Sequence, residues 1–189
     1  PGSLSRAMEG FARPLVYPFF MTEGYFTREV LPRRLMELDA PARQLPAFGS
    51  DPAIAALAGG AALAGARRAG LMPEKATLLL AAHGSQVSPA SRLSTLALAR
   101  TLSASLPFRS IVTGFIEEAP YLGEAARKLG PAVCLPLFTL NAGHVVKDVP
   151  EALADAGFEG PVLGHLGADP GGPRLIAAAL RHQAMRAAA

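Results

Sequence analysis

Apolar residues along this chain follow two rhythms. Short unbroken runs alternate with longer stretches in which apolar positions recur every three to four residues, the signatures of buried strands and amphipathic helices. The clearest run is Leu78–Ala82, leading into His83-Gly84-Ser85. An apolar run without alternation, bounded by turn residues, reads as a strand covered on both faces of a parallel sheet. From it the pattern predicts strand 76–83, helix 88–106, strand 110–116, helix 120–129, strand 132–138, helix 146–156, strand 161–166 and helix 173–187. Ser88-Pro89 supplies an N-cap and a proline at the first helical position. Behind it Leu98, Ala99, Leu102 and Leu106 share a stripe, with Arg100 turned away. The last helix carries Leu175, Ile176, Ala179, Leu180 and Gln183 in the same way. Strands alternating with helices mean an α/β fold, a parallel sheet with helices on both sides.

The residues before this unit resemble its later part. Pro18 and Pro136 stand 118 positions apart, as do Leu4 and Leu122, Ala7 and Ala125, Pro32 and Pro150, Gly49 and Gly167, Asp51 and Asp169, and Pro52 and Pro170. Between the prolines, EGYFTREV aligns with AGHVVKDV through a one-residue gap, which sets Tyr25 opposite His144. So many anchors at one offset indicate two copies of a single α/β unit. Residues 1–72 form a partial first lobe with a linker helix, and 73–189 a complete second lobe. The first copy is expected to hold helix 3–12, strand 14–20, helix 28–38, strand 44–48 and helix 52–69. Two strands are too few for a stable lobe, so the chain is expected to be an N-terminally shortened piece of a longer protein.

Composition narrows the function. With 189 residues, half of them apolar, and a net charge of +3, there is material for a large core and no basic patch for nucleic acid. Arg28, Arg33, Arg34, Arg67 and Arg68 read as solvated surface, with an acidic small molecule as the alternative. The single cysteine, Cys134, lies in an apolar run and reads as a packed hydrophobe, which suits a reducing, cytoplasmic setting. The longest apolar passage, Ala53–Ala66, is too short to span a bilayer, and no signal-peptide pattern opens the chain.

The candidate chemistry sits at strand ends. His83, Glu117 and His144 follow three successive predicted strands, and in open α/β sheets ligands collect at those carboxyl ends. Two imidazoles and a carboxylate suit a divalent ion such as cobalt, iron, nickel or zinc. Taken singly, His83 could cap the following helix and His144 could bond a carbonyl. His165 also ends a predicted strand, and His182 reads as helix surface. Asn141 and Arg92 are secondary candidates for substrate contact, and Lys147 and Asp148 read as a charge pair at a helix start. Ser85 lacks a G-x-S-x-G elbow, which ranks a hydrolase last, and the chain has no G-x-x-x-x-G-K-[ST] phosphate loop.

The segments LLLAAHGS, GFIEEAP and PLFTLNAGHVVKDVPEAL resemble the class II tetrapyrrole chelatases, and within them the sirohydrochlorin chelatases. The resemblance implies two related flavodoxin-like lobes closing on a macrocycle. It also implies insertion of cobalt or ferrous iron into sirohydrochlorin, for cobalamin or siroheme synthesis, without ATP or an organic cofactor. By motif, His83 and His144 are the implied metal-holding histidines and Glu117 the carboxylate, with Glu118 the neighbour most easily mistaken for it. Tyr25 in place of a second-site histidine implies one metal site, with the first lobe as a wall of the cleft. The rival reading is a non-catalytic chelatase-like protein that only binds a metal or tetrapyrrole.

Overall fold

The computed structural model describes residues 3–38 and 42–188, with side chains to residue 186. Residues 1, 2, 39–41 and 189 of the two expected lobes lie outside the described residues. In chain order the elements are α1 (Leu4–Met8), β1 (Leu15–Val16), α2 (Leu31–Glu37), β2 (Arg43–Gln44), α3 (Ile54–Arg68), β3 (Thr77–Ala82), α4 (Ala90–Ser105), β4 (Ser110–Phe115), α5 (Leu122–Ala126), β5 (Ala132–Pro136), α6 (Val149–Asp155) and α7 (Gly172–Ala188).

β3 is the centre of a three-stranded parallel sheet in the order β4-β3-β5, with Thr77 opposite both Ser110 and Ala132. Every residue of β3 is buried, as the unbroken apolar run requires. Successive side chains point to opposite faces, so the strand serves two cores at once. Leu78, Leu80 and Ala82 face one with Val133, Leu135 and Leu102; Leu79 and Ala81 face the other with Cys134, Leu122 and Leu153. Each leucine fully removed from water contributes about 1.5–3 kcal/mol, and Leu78, Leu79 and Leu80 are all fully buried, so this strand concentrates core energy in three successive residues. Burial also pushes the Cys134 thiol up to about 12. The helix α3, from the first copy, sets Ile54, Ala58, Ala62 and Ala66 into the same core as Leu78 and Leu80. Its small side chains let the helix come close to the sheet.

The repeat is visible in the backbone. β1 and β2 pair in parallel with Val16 opposite Gln44, and 118 positions on Cys134 bridges Val162 in parallel. The bonds agree: Leu45 N–H donates to Val16 O at 2.8 Å, and Leu163 N–H to Cys134 O at 2.9 Å. Gly49 N–H donates to Phe20 O and Gly167 N–H to Phe138 O, both at 2.9 Å.

Several expected elements are shorter. Strand 14–20 reduces to Leu15–Val16, because Pro14 and Pro18 bring no N–H and serve only as acceptors, from Arg43 N–H and Phe48 N–H. In place of strand 44–48 the chain pairs only at Arg43–Gln44, one residue earlier, and strand 161–166 reduces to the one bridge at Val162, behind Pro161 and half-exposed at the sheet edge. Helix 3–12 ends at Met8, and helix 120–129 covers only Leu122–Ala126, stopped before the left-handed Lys128 and Gly130. Ser88 is not the N-cap of α4, which starts at Ala90 behind Pro89. Helices 28–38 and 146–156 each open with one π-helical turn, Phe26–Val30 and His144–Asp148. Pro32 and Pro150, second in α2 and α6, lack the N–H that would continue an α-helical ladder backwards. The residue before each proline closes a wider turn, Leu31 N–H to Phe26 O and Val149 N–H to His144 O.

Candidate metal centre

His83 is the first residue beyond β3, and its carbonyl ties two strand ends together. Ile116 N–H and Glu117 N–H both donate to His83 O, at 3.1 and 2.9 Å. Gly84 then turns with φ +72°, a left-handed conformation that a side chain resists. The loop is braced from two sides: Ser85 N–H donates to Glu118 Oε1 at 2.9 Å, and Gly84 N–H to Ser91 Oγ at 3.1 Å. Ser85 Oγ accepts from Val87 N–H and Ser88 N–H, both at 3.2 Å, so this hydroxyl is a loop brace. The adjacent glutamates divide the work: Glu118 turns inward to the loop while Glu117 stays exposed at the strand end.

Both imidazoles are oriented by a bond at Nδ1. His83 Nδ1 lies 2.6 Å from Gly84 O; a carbonyl only accepts, so Nδ1 carries the hydrogen and Nε2 is the nitrogen whose lone pair the neutral ring offers to an ion. His144 Nδ1 lies 2.6 Å from Asp148 Oδ2, one turn further along, which again leaves Nε2 free. An imidazole backed by a carboxylate in this way is held in its tautomer and is the better ligand for it. The expected Lys147–Asp148 pair is therefore replaced by His144–Asp148, because residues four apart share a helix face and neighbours do not. The two rings meet edge to face, centroids 4.5 Å apart at 89°.

His83, Glu117 and His144 offer ligand atoms that all lie within 4.8 Å of one another. Ligands bound at about 2.0–2.2 Å to one ion stand roughly 3–4.4 Å apart, so small side-chain rotations bring the set into coordination range. All three keep some exposure, which leaves a face open to an incoming group. His83, alone of the three, lines a cleft of about 410 Å³, together with Ser91 and Phe138 of the second copy and Phe20, Met21 and Tyr25 of the first. The first copy thus supplies a wall of the cleft.

The other candidates fall elsewhere. His165 Nδ1 lies 3.1 Å from Phe138 O, and the residue lines a separate cleft of about 460 Å³ with Arg68. His182, Asn141, Arg92 and Lys147 are exposed, as are Arg28, Arg33, Arg34, Arg67 and Arg68; Arg34 pairs with Glu37 at 3.5 Å. Tyr25 lines the cleft, yet it is not the counterpart of His144. The π-turns begin at Phe26 and His144, and Thr27 N–H to Gly24 O matches Val145 N–H to Ala142 O, with no gap in the offset. Phe26 therefore occupies the place of the histidine. The constant 118-residue spacing was the signal for it, masked by the better letter match one residue over.

The parallel α/β fold that carries these groups places the chain among the class II tetrapyrrole chelatases. The CbiX family model matches residues 77–185, and the chain belongs to that family. Among solved structures, CbiX, described as the terminal enzyme for biosynthesis of siroheme in denitrifying bacteria, is 43% identical. The match covers 96% of this chain and 79% of that one, with a TM-score of 0.87. SirB from Bacillus subtilis with Fe³⁺ shares the fold at 14% identity over 95% of this chain and 77% of that one, TM-score 0.76. The sirohydrochlorin chelatase SirB from Bacillus subtilis subspecies spizizenii, in complex with cobalt, does so at 11% identity over 95% and 75%, TM-score 0.66. No curated protein matched the chain. Among the described residues, no helix is long and apolar enough to cross a membrane.

Proposed function

We propose that this protein inserts a divalent metal ion, cobalt or ferrous iron, into sirohydrochlorin, with His83, Glu117 and His144 receiving the ion. Residues 73–189 form the lobe that carries the site and residues 1–72 the partial lobe that closes the cleft. One observation carries the reading: three ligating groups, remote in sequence, converge within 4.8 Å beside a cleft between the two copies. The kinship to CbiX and the cobalt-bound chelatase fold support the same chemistry.

Metal insertion exchanges two pyrrole N–H protons for one dication. A ligand set of imidazoles and a carboxylate suits that exchange, because each lone pair released by the departing ion becomes a proton acceptor. Holding ion and ring face to face makes the transfer intramolecular. The ligand exchange needs no ATP, and the protein works without an organic cofactor. A cytoplasmic setting suits its one buried thiol.

Sirohydrochlorin mixed with Co²⁺, with and without protein, tests this through the absorbance change of the macrocycle. The expected result is a rate well above the metal-alone background, lowered about 100-fold or more by His83→Ala or His144→Ala. A rate equal to the background would leave a protein that binds without catalysing.

A further inference from the structure

The repeat places Phe26 where the second copy has His144, and the surroundings are copied with it. Phe20 and Phe26 have ring centroids 6.2 Å apart; Phe138 and His144, each 118 positions on, are also 6.2 Å apart. The first copy thus keeps the scaffold of a ligand-bearing turn but carries a hydrocarbon ring on it, which can neither hold an ion nor move a proton. We propose that Phe20, Tyr25 and Phe26 form a stacking platform that positions the flat face of the tetrapyrrole against the ion-holding groups, an inference that rests on the metal-insertion reading.

Two further observations carry it. The three rings remain well exposed, at 43% for Phe20, 64% for Tyr25 and 59% for Phe26. They contact one another in order, Phe20 nearly parallel to Phe26 at 14° and Tyr25 edge-on to Phe26 at 70°. Three exposed aromatic rings in mutual contact are apolar surface of the kind that a ligand covers. Phe20 and Tyr25 also line the same cleft as His83, and Phe26 lies against both at the cleft margin, so two rings of the patch face the space that the proposed substrate enters and the third supports them. The conjugated part of the macrocycle presents a broad π face, and offset stacking on aromatic rings is what such a face favours. These are positioning residues: lacking metal-binding or basic groups, the phenylalanines act on how the ring is held and not on how the ion is bound.

The test uses Phe20→Ala, Phe26→Ala and the double variant. Fluorescence titration reads binding of metal-free sirohydrochlorin, initial rates give KM and kcat, and a Co²⁺ titration without the macrocycle reads the ion site. Because the rings are exposed, the variants are expected to fold, and circular dichroism checks this. The double variant is expected to weaken sirohydrochlorin binding and raise KM about tenfold, with Co²⁺ binding unchanged. Phe26→Tyr should restore most of the affinity and Phe26→Leu little of it. Folded variants with wild-type affinity and KM overturn the platform, as does a change confined to oligomeric state, which would assign the patch to a second copy of the chain. Wild-type protein that fails to bind sirohydrochlorin overturns the metal-insertion reading itself, and the platform with it.

Discussion

At the residue scale, the two candidate histidine ligands are held by side chains that stand behind them. Asp148 Oδ2, 2.6 Å from His144 Nδ1, decides which nitrogen of the imidazole faces the other ligands. Glu118 Oε1, 2.9 Å from Ser85 N, holds the loop that carries His83. Supports of this kind typically change metal affinity by one to two orders of magnitude. Asp148→Ala is expected to weaken Co²⁺ binding about 10- to 100-fold in a spectroscopic titration, with the protein still folded. An unaltered titration would mean that the π-turn alone orients His144.

At the scale of elements, the decisive feature is how β3 ends. The strand is rigid because it is central and buried on both faces, and Gly84 lets the chain leave it sharply. A Cβ at Gly84 would sit 2.8 Å from Phe115 Cβ and 2.9 Å from Glu118 Cγ, in addition to the cost of its positive φ. Gly84→Ala is expected to cost about 1–3 kcal/mol in urea unfolding and to impair Co²⁺ binding by displacing Glu118 from the loop. Stability equal to wild type would show that the loop can relax to another conformation.

At the scale of the molecule, the two copies share bonds and not merely letters. Asp51 Oδ1 accepts from Ala53 N–H at 2.9 Å, and Asp169 Oδ1 from Gly171 N–H at 2.7 Å, 118 positions apart in both partners. Gly49 and Gly167 are equivalent too: a Cβ on either would collide with a backbone carbonyl, of Met21 and Thr139 respectively. Backbone cannot yield as a side-chain tip can. Gly49→Ala and Gly167→Ala are each expected to cost about 2 kcal/mol or more, lowering the melting temperature by roughly 4–8 °C in calorimetry. A large effect at one glycine and none at the other would show that the copies have diverged in packing.

The sequence by itself determined the central strand, the α/β class, the offset of the repeat and the three strand-end groups. Each of these is written in local pattern: an unbroken apolar run at Leu78–Ala82, prolines and glycines at one spacing, and His83, Glu117 and His144 each just past an apolar segment. Tertiary structure decided that Asp148 belongs to His144 and that Glu118 serves the loop while Glu117 faces the cluster, and it chose Phe26 over Tyr25 where spacing and letter match disagreed. The reason is common to all three. A pattern of letters does not say which of several nearby residues takes a given place or partner, and only hydrogen-bond closure in three dimensions separates one from the next.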